Sequence, residues 1–330
     1  MVYVEIDSKD AAIHFSAEDY LMKNFAGNKP IMMIWQTDKC AMVGNYQVVE
    51  AEVNMAFANK ENVQIVRRPS GGGTIYTDSG TILFTMILPF ADGEYAQTVR
   101  DKVAGVVIDV LNEAGIPAKL EGRNDILLGG KKITGLAQHA KNNRLCTHGS
   151  LLYDADLEAL VETLSVDEEK IRSKAIKSVR SRVTNIKEFT GLKLSTAEFL
   201  ALLKKGLFKS QDAEEYTLSG HELDAIKKIH AEKYGSTLWT FEKSPPFSFS
   251  SSMRFPAGKV EIFMDIAEGI VKTCAIRGDF LGIVPISGLE NLLTDNAFNR
   301  AAMESVLSGA DISPYLGGIT QEELLSCMFE

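Results

Sequence analysis

Basic residues are in deficit. Among 330 residues, 35 Lys and Arg face 44 Asp and Glu, leaving a formal net charge of −9. Non-specific nucleic-acid binding needs a basic face that displaces counterions from phosphates, so a polyanion partner is excluded. Small anionic ligands are not, because a few local cations suffice for them. Cysteine is sparse as well: Cys40, Cys146, Cys274 and Cys327 are far apart with no CxxC pair, which excludes a disulfide frame and a structural zinc ribbon. No apolar run approaches the roughly 18 to 20 residues that span a bilayer. The start, MVYVEIDSKD, has no basic segment followed by an apolar run. A soluble, cytoplasmic chain without a membrane partner is expected.

What is present is globular. Apolar residues make up 45% and charged residues 24%, enough for a real core. The length suggests two units at about 150 residues each. Ser16 with Asp19 resembles a capping box opening a helix to about Phe25. IMMIW (31–35), VQIVRR (63–68) and TILFTMILPF (81–90) read as buried strands. Val103, Val107, Val110 and Leu111 share one face of a helix from Thr98 to Ala114, which exits at Gly115 and Pro117. Capping boxes at Ser195/Glu198, Ser219/Glu222 and Thr320/Glu323 precede further helices. KSPPFSFSSS (243–252) interrupts the pattern and marks a boundary. Beyond it, Val260, Ile262, Met264 and Ile266 alternate as a strand, AEG turns, IVKTCAI (270–276) returns, and two or three helices follow. The pattern splits into a large α/β unit (1–245) and a small α+β unit (246–330).

Chemistry concentrates in a few segments. In RRPSGGGTIYTDSG (67–80) three glycines join strand-like runs rather than opening a helix. That context argues against a P-loop and a dinucleotide fingerprint. Such a loop presents backbone N–H groups to a phosphate, with Arg68 as a charge-assisted donor; a plain glycine turn with a surface arginine is the alternative. In EGRNDILLGGKKITG (121–135), a Gly-Gly turn brings Lys131 and Lys132 back antiparallel on opposite faces. A lysine aimed into a closed pocket suits a carboxylate or acyl phosphate. Asp125 is a candidate for holding magnesium beside a nucleotide, although a surface turn carboxylate is the commoner fate.

RLCTHGSLLYDADLEAL (144–160) carries Cys146 and His148. An activated thiol competes there with an inert buried cysteine, and Asp154 and Asp156 supply caps for the next helix. Lys174, Lys177, Arg180 and Arg182 read most plainly as a solvated basic face. HELDAIKKIH (221–230) lacks HExxH, so a zincin is rejected.

Taken in order, Gly44 with Gln47 in VGNYQ, RRPSGGGTIY (67–76), GRNDI (122–126), GKKITG (130–135), HGSLL (148–152) and SVRSRVTN (178–185) resemble the lipoate–protein ligase family, within the biotin/lipoate ligase superfamily. KSPPF (243–247) and RFPAGKVE (254–261) extend the resemblance into the small domain. It implies an α+β, biotin/lipoate ligase-like fold, with a large catalytic domain (1–245) of mixed and antiparallel sheets flanked by helices and a small C-terminal α+β domain (246–330), and a two-step reaction. Lipoate is activated with ATP and magnesium to lipoyl-AMP, then passed to a lysine of a lipoyl domain. That acceptor is the glycine-cleavage H protein or the acyltransferase subunit of a 2-oxoacid dehydrogenase. Carried over residue by residue, the nucleotide contacts are Arg68, Gly73, Thr74, Ile75 and Tyr76. Lys132 sits between lipoate and adenylate, and Gly71, Gly72 and His148 join it around lipoate.

Where the family reads HDxGN after the aromatic residue, threonines stand at Thr77 and Thr81, as expected of a specialised paralogue. Two other readings stay open: a cysteine-dependent octanoyl or lipoyl transferase using Cys146, and a weakly catalytic binding protein for lipoylated partners. Biotin ligase lacks support, because a GRGRxG element is absent.

Overall fold

The computed structural model describes residues 1–91, 94–122, 124–164, 181–241, 248–267 and 269–329. Arg123, Lys174, Lys177, Arg180 and the two prolines of the boundary segment lie outside the described residues.

A strand buried on both faces needs apolar side chains at every position, and IMMIW meets that demand. It forms β2 (Ile31–Trp35), inside an eight-stranded sheet with β1 (Val2–Val4), β6 (Thr81–Pro89), β7 (Ala118–Glu121), β8 (Asp125–Leu128), β9 (Lys131–Lys141), β10 (Arg144–Leu152) and β11 (Glu214–Tyr216). The order is β11-β1-β2-β6-β10-β9-β8-β7. Pairing is parallel among the first three and antiparallel from β2 onward, so the sheet is mixed as expected.

Parity divides the core. Met32, Ile34, Ile82, Phe84 and Met86 face helices at Ala96–Glu113 and Thr196–Gln211. Ile31, Met33, Trp35, Leu83, Ile87 and Cys146 face α1 (Ala11–Asn24) and the helix at Gly220–Ile229. Each large side chain so buried contributes about 1.5–3 kcal/mol.

The start of α1 differs from the expectation at Ser16. Asp10 caps the helix by accepting the Ala12 N–H at 2.8 Å, and Ser16 lies in mid-helix. Its hydroxyl is buried and donates to the Ala12 carbonyl at 2.6 Å. The Ser–Asp spacing imitates a cap, but the inward stripe that continues through Glu18 and Met22 has already begun upstream of it, at Ala11 and Phe15. The boxes at Ser195 and Ser219 form as expected, and Thr320 and Glu323 exchange the same bonds.

A second sheet of three strands, β3 (Cys40–Val43), β4 (Gln64–Arg67) and β5 (Ile75–Thr77), has β3 at its centre. A third holds β12 (Phe249–Phe255), β13 (Gly258–Ala267) and β14 (Ile270–Gly278) as an antiparallel meander. The serine cluster is thus strand rather than linker. Its alternation of half-buried and exposed positions suits an edge strand with one wet face. Four helical segments follow among the described residues, at Ser287–Leu293, Arg300–Ser308, Ser313–Leu316 and Gln321–Phe329. They pack on this sheet around a core of their own. No described helix is long and apolar enough to cross a membrane.

Candidate active site

β4 and β5 both pair with β3 and not with each other, so the glycines between them are a crossover loop, not a hairpin. Two buried arginines shape it. Arg67 donates to the carbonyls of Gly44 (2.9 Å), Gln47 (2.7 Å) and Thr240 (2.9 Å). Arg68 donates to Met42 O (2.7 Å), Gly71 O (2.7 Å), Gly73 O (2.8 Å) and Ser70 Oγ (3.1 Å). Burial, with Arg67 alongside, pushes the Arg68 guanidinium down to about 10, still charged at neutral pH. Arg68 therefore organises the loop's carbonyls instead of standing as a surface donor. Gly72 adopts φ +90°, which favours glycine.

A methyl at Gly44 would meet the Gly72 carbonyl oxygen at 1.9 Å, so only glycine permits this approach. Gln47 Oε1 then accepts from Gly44 N (3.0 Å) and Thr74 Oγ1 (2.8 Å), tying both sides of the loop together.

The Gly129-Gly130 turn, both residues at positive φ, returns the chain into β9 as expected. A β-bulge interrupts β8–β9 pairing opposite Ile126 and Leu127, and Thr184 N donates to Lys132 O at 3.1 Å. Lys132 Nζ sits 2.8 Å from Asp125 Oδ1. A Cβ at Gly135 would come within 3.0 Å of that ammonium, so the final glycine of GKKITG makes its room.

Two cavities meet at Lys132. A narrow slot of about 170 Å³ runs inward between Phe15, Trp35, Met42, Leu83 and Leu136 to His148, with Arg68, Gly72 and Gly73 along one wall. A wider cleft of about 810 Å³ is lined by Tyr76, Asp125, Thr134, Ser150 and Arg182. Thr74, Ile75, Lys132 and Gly135 line both. This geometry suits a reaction between an apolar chain with a charged head and a larger polar molecule.

The inner end of the slot is polar. His148 Nε2 lies 2.6 Å from Ser70 Oγ, and its Nδ1 lies 3.2 Å from Glu18 Oε1. Thr85 donates to the same carboxylate oxygen at 2.7 Å, and Trp35 Nε1 donates to Thr85 at 3.1 Å. Burial alone would raise the Glu18 carboxyl, but His148 beside it, with His139 and Thr85, holds it below the usual range. Burial, reinforced by the Glu18 charge, pushes the Cys146 thiol well above its ordinary value. A fully buried, protonated thiol is no nucleophile, so the geometry argues against the cysteine-transferase alternative.

Of the residues expected at the site, Arg68, Gly72, Gly73, Thr74, Ile75, Lys132 and His148 line the slot, and Tyr76 and Asp125 the cleft. Gly71 lines neither, being pressed against the Phe280 carbonyl, 2.5 Å from where its Cβ would be. Thr77 bonds Thr37 at 2.8 Å and Thr81 approaches Asp78 at 3.4 Å, and neither lines the slot or the cleft. Asp156 caps the next helix, whereas Asp154 pairs with Lys187 instead. Sequence reasoning missed Glu18, Trp35 and Leu281. A signal for Glu18 existed: an acid on the inward stripe of α1.

Comparison with known proteins gives these segments a context. The family described as the lipoyl protein ligase A/B catalytic domain matches residues 10–208, and that described as the bacterial lipoate protein ligase C-terminus matches residues 244–328. The lipoate-protein ligase LplJ of Bacillus subtilis (strain 168) is 34% identical over 323 residues, covering 97% of each chain. Two solved structures share the fold. One is the LipL1 protein of P. falciparum in complex with lipoate, with TM-score 0.80, 19% identity and 98% of each chain covered. The other is a lipoate-protein ligase A bound with ATP, with TM-score 0.64, 23% identity, and 73% of this chain and 98% of that one covered.

Proposed function

Because the chain belongs to the lipoate–protein ligase family, we propose that it joins lipoate to protein in two ATP-dependent steps, with the slot holding the acyl chain and the cleft the nucleotide. The observation that carries this division is the position of Lys132, among the described residues the one ammonium group at the junction of the two cavities. In the first step a carboxylate oxygen of lipoate attacks the α-phosphorus of ATP and pyrophosphate leaves. Both reactants are anionic, and Lys132 offsets their repulsion as they approach. Its ion pair with Asp125 keeps the ammonium in place beforehand.

In the second step the acceptor lysine amine attacks the acyl carbon, AMP leaves, and an amide forms. Charge building on the acyl oxygen falls to Lys132, and the adenylate leaves readily enough that no protein nucleophile is needed.

Arg68, Gly73, Thr74, Ile75 and Tyr76 are assigned to ATP, and Lys132, Gly71, Gly72 and His148 to lipoate. For Arg68 and Gly71 the assignment is to shaping the loop. Magnesium fits the cleft: among the described residues Asp125 is the one carboxylate lining it, and magnesium is commonly held by one or two carboxylates with substrate phosphates and water completing the shell. The ion would screen the phosphates when bound. The acceptor is a lipoyl-domain protein, and the finer proposal is the glycine-cleavage H protein or a 2-oxoacid dehydrogenase acyltransferase subunit. Four free cysteines suit a reducing cytoplasm. Residues 1–245 are assigned to catalysis and 246–330 to an accessory domain.

Lys132→Ala is expected to lower lipoate-dependent pyrophosphate release by at least about 100-fold, read with magnesium ATP and confirmed by intact mass of an apo acceptor. Full adenylation by the variant, or ATP-independent transfer abolished by Cys146→Ser, would overturn the assignment.

A further inference from the structure

We propose that Glu18, His139, Cys146 and His148 form a binding site for a borderline-soft divalent ion such as zinc, behind the inner end of the slot. Each offers one donor atom, and the four atoms lie within 4.8 Å of one another. Two imidazole nitrogens, a thiolate and a carboxylate are the donor set zinc takes, whereas magnesium and calcium prefer oxygen.

The scaffold is rigid and comes from three elements. β10 supplies Cys146 and His148, two residues apart and so on one face. β9 supplies His139, directly opposite Cys146 in the ladder. α1 lays Glu18 over that face.

Tetrahedral zinc with bonds of about 2.0–2.3 Å puts its donors about 3.3–3.8 Å apart. Glu18 and His148, at 3.2 Å, are close to the short end of that range. The other donor pairs lie within 4.8 Å.

An independent observation points the same way. The His139 ring is 9% exposed, and its Nδ1 has no hydrogen-bond partner. An unpaired buried nitrogen costs stability unless something satisfies it.

Charge also balances. The ion displaces the Cys146 thiol proton to solvent, and its two positive charges then meet one thiolate and one carboxylate. The outer contacts needed to orient the donors exist as well. Thr85 holds Glu18, and Ser70 Oγ, itself held by Arg68, faces His148 Nε2. That hydroxyl oxygen can accept the Nε2 proton, which frees Nδ1 for the metal. Four protein donors make a closed, structural site.

The test is cobalt(II) titration of the chelator-treated full-length chain, with zinc competition. Expected are one equivalent bound, a near-ultraviolet thiolate-to-cobalt charge-transfer band, and the intense visible absorption of four-coordinate cobalt. Cys146→Ser should abolish the charge-transfer band, and His139→Gln should weaken binding at least tenfold. Circular dichroism would verify that both variants fold, with Cys146→Ala as the replacement if the serine variant does not. Absence of the band, or binding undiminished in the variants, would overturn the site.

Discussion

His14 lies against Trp35, with ring centroids 4.3 Å apart and planes 18° from parallel, and its Nε2 lies 2.9 Å from the Ser8 carbonyl. Burial lowers its affinity for a proton below the ordinary value, outweighing the Ser8 carbonyl, Glu18 and Asp10, which pull it up; Lys9 adds to the lowering. Below about pH 6.5 the unfolded chain therefore takes up a proton that the folded chain refuses. Stability is full above that pH and is lost as pH falls toward the folded value, by up to about 1.4 kcal/mol per pH unit for this group. His14→Gln should flatten the acid limb of a urea-denaturation series between about pH 7.5 and 5. Parallel curves for the two proteins would disprove it. At this scale the sequence was legible where chemistry is written in residue type, as at Lys132. It was less so where a partner decides the role: Arg68 looked like a ligand donor, yet its hydrogen bonds run to carbonyls far along the chain or across its own loop.

At the scale of elements, apolar runs located the strands closely, because a strand buried on both faces has no other way to read. Alternation likewise located β13 and β14. Caps were legible when an apolar stripe began after them, as at Ser195 and Ser219, and misleading at Ser16, where the stripe had already begun. The crossover loop was not legible as such, since β3, which separates β4 from β5, lies more than twenty residues upstream. Its tightest point is Gly44 against the Gly72 carbonyl. Gly44→Ala should cost roughly 1–3 kcal/mol and weaken ATP binding, measured by chemical denaturation and calorimetry. Gly220→Ala, where an added methyl meets nothing within 4 Å, should leave both intact. Equal behaviour of the two variants would sink the claim that loop closure sets the cost.

On the scale of the whole molecule, length and the segment at 243–252 suggested two units but said nothing of how the parts of the chain touch. The contact is made by residues 278–284, which lie over the glycine loop. Gly72 N donates to Phe280 O (3.0 Å), Gly278 N to Tyr46 O (2.9 Å), Ala140 N to Ile283 O (2.6 Å), and Tyr46 Oη to Val284 O (2.8 Å). Tyr46 also stacks on Phe280, centroids 4.9 Å apart, and Leu281 lines the slot. These pairs span more than 130 residues of sequence, beyond the reach of any local pattern. Tyr46→Phe keeps the stack and removes one hydrogen bond, a loss of about 1 kcal/mol. Faster amide exchange at Gly72 in this variant, with the β6–β10 ladder unchanged, is the expected result, and unchanged exchange at Gly72 would refute the seating role.

The alternation of β10 has a consequence for folding fidelity. Cys146 and His148 point toward α1, while Leu145, Gly149 and Leu151 point to the opposite core, where Gly149 leaves space for Phe84 and Leu136. A slip of one residue against β6 and β9 would turn every side chain over. It would drive an imidazole into packed hydrocarbon and strand Glu18 without its partner. The polar end of the slot thus acts as a register pin, penalising misaligned pairings during folding before any substrate is met.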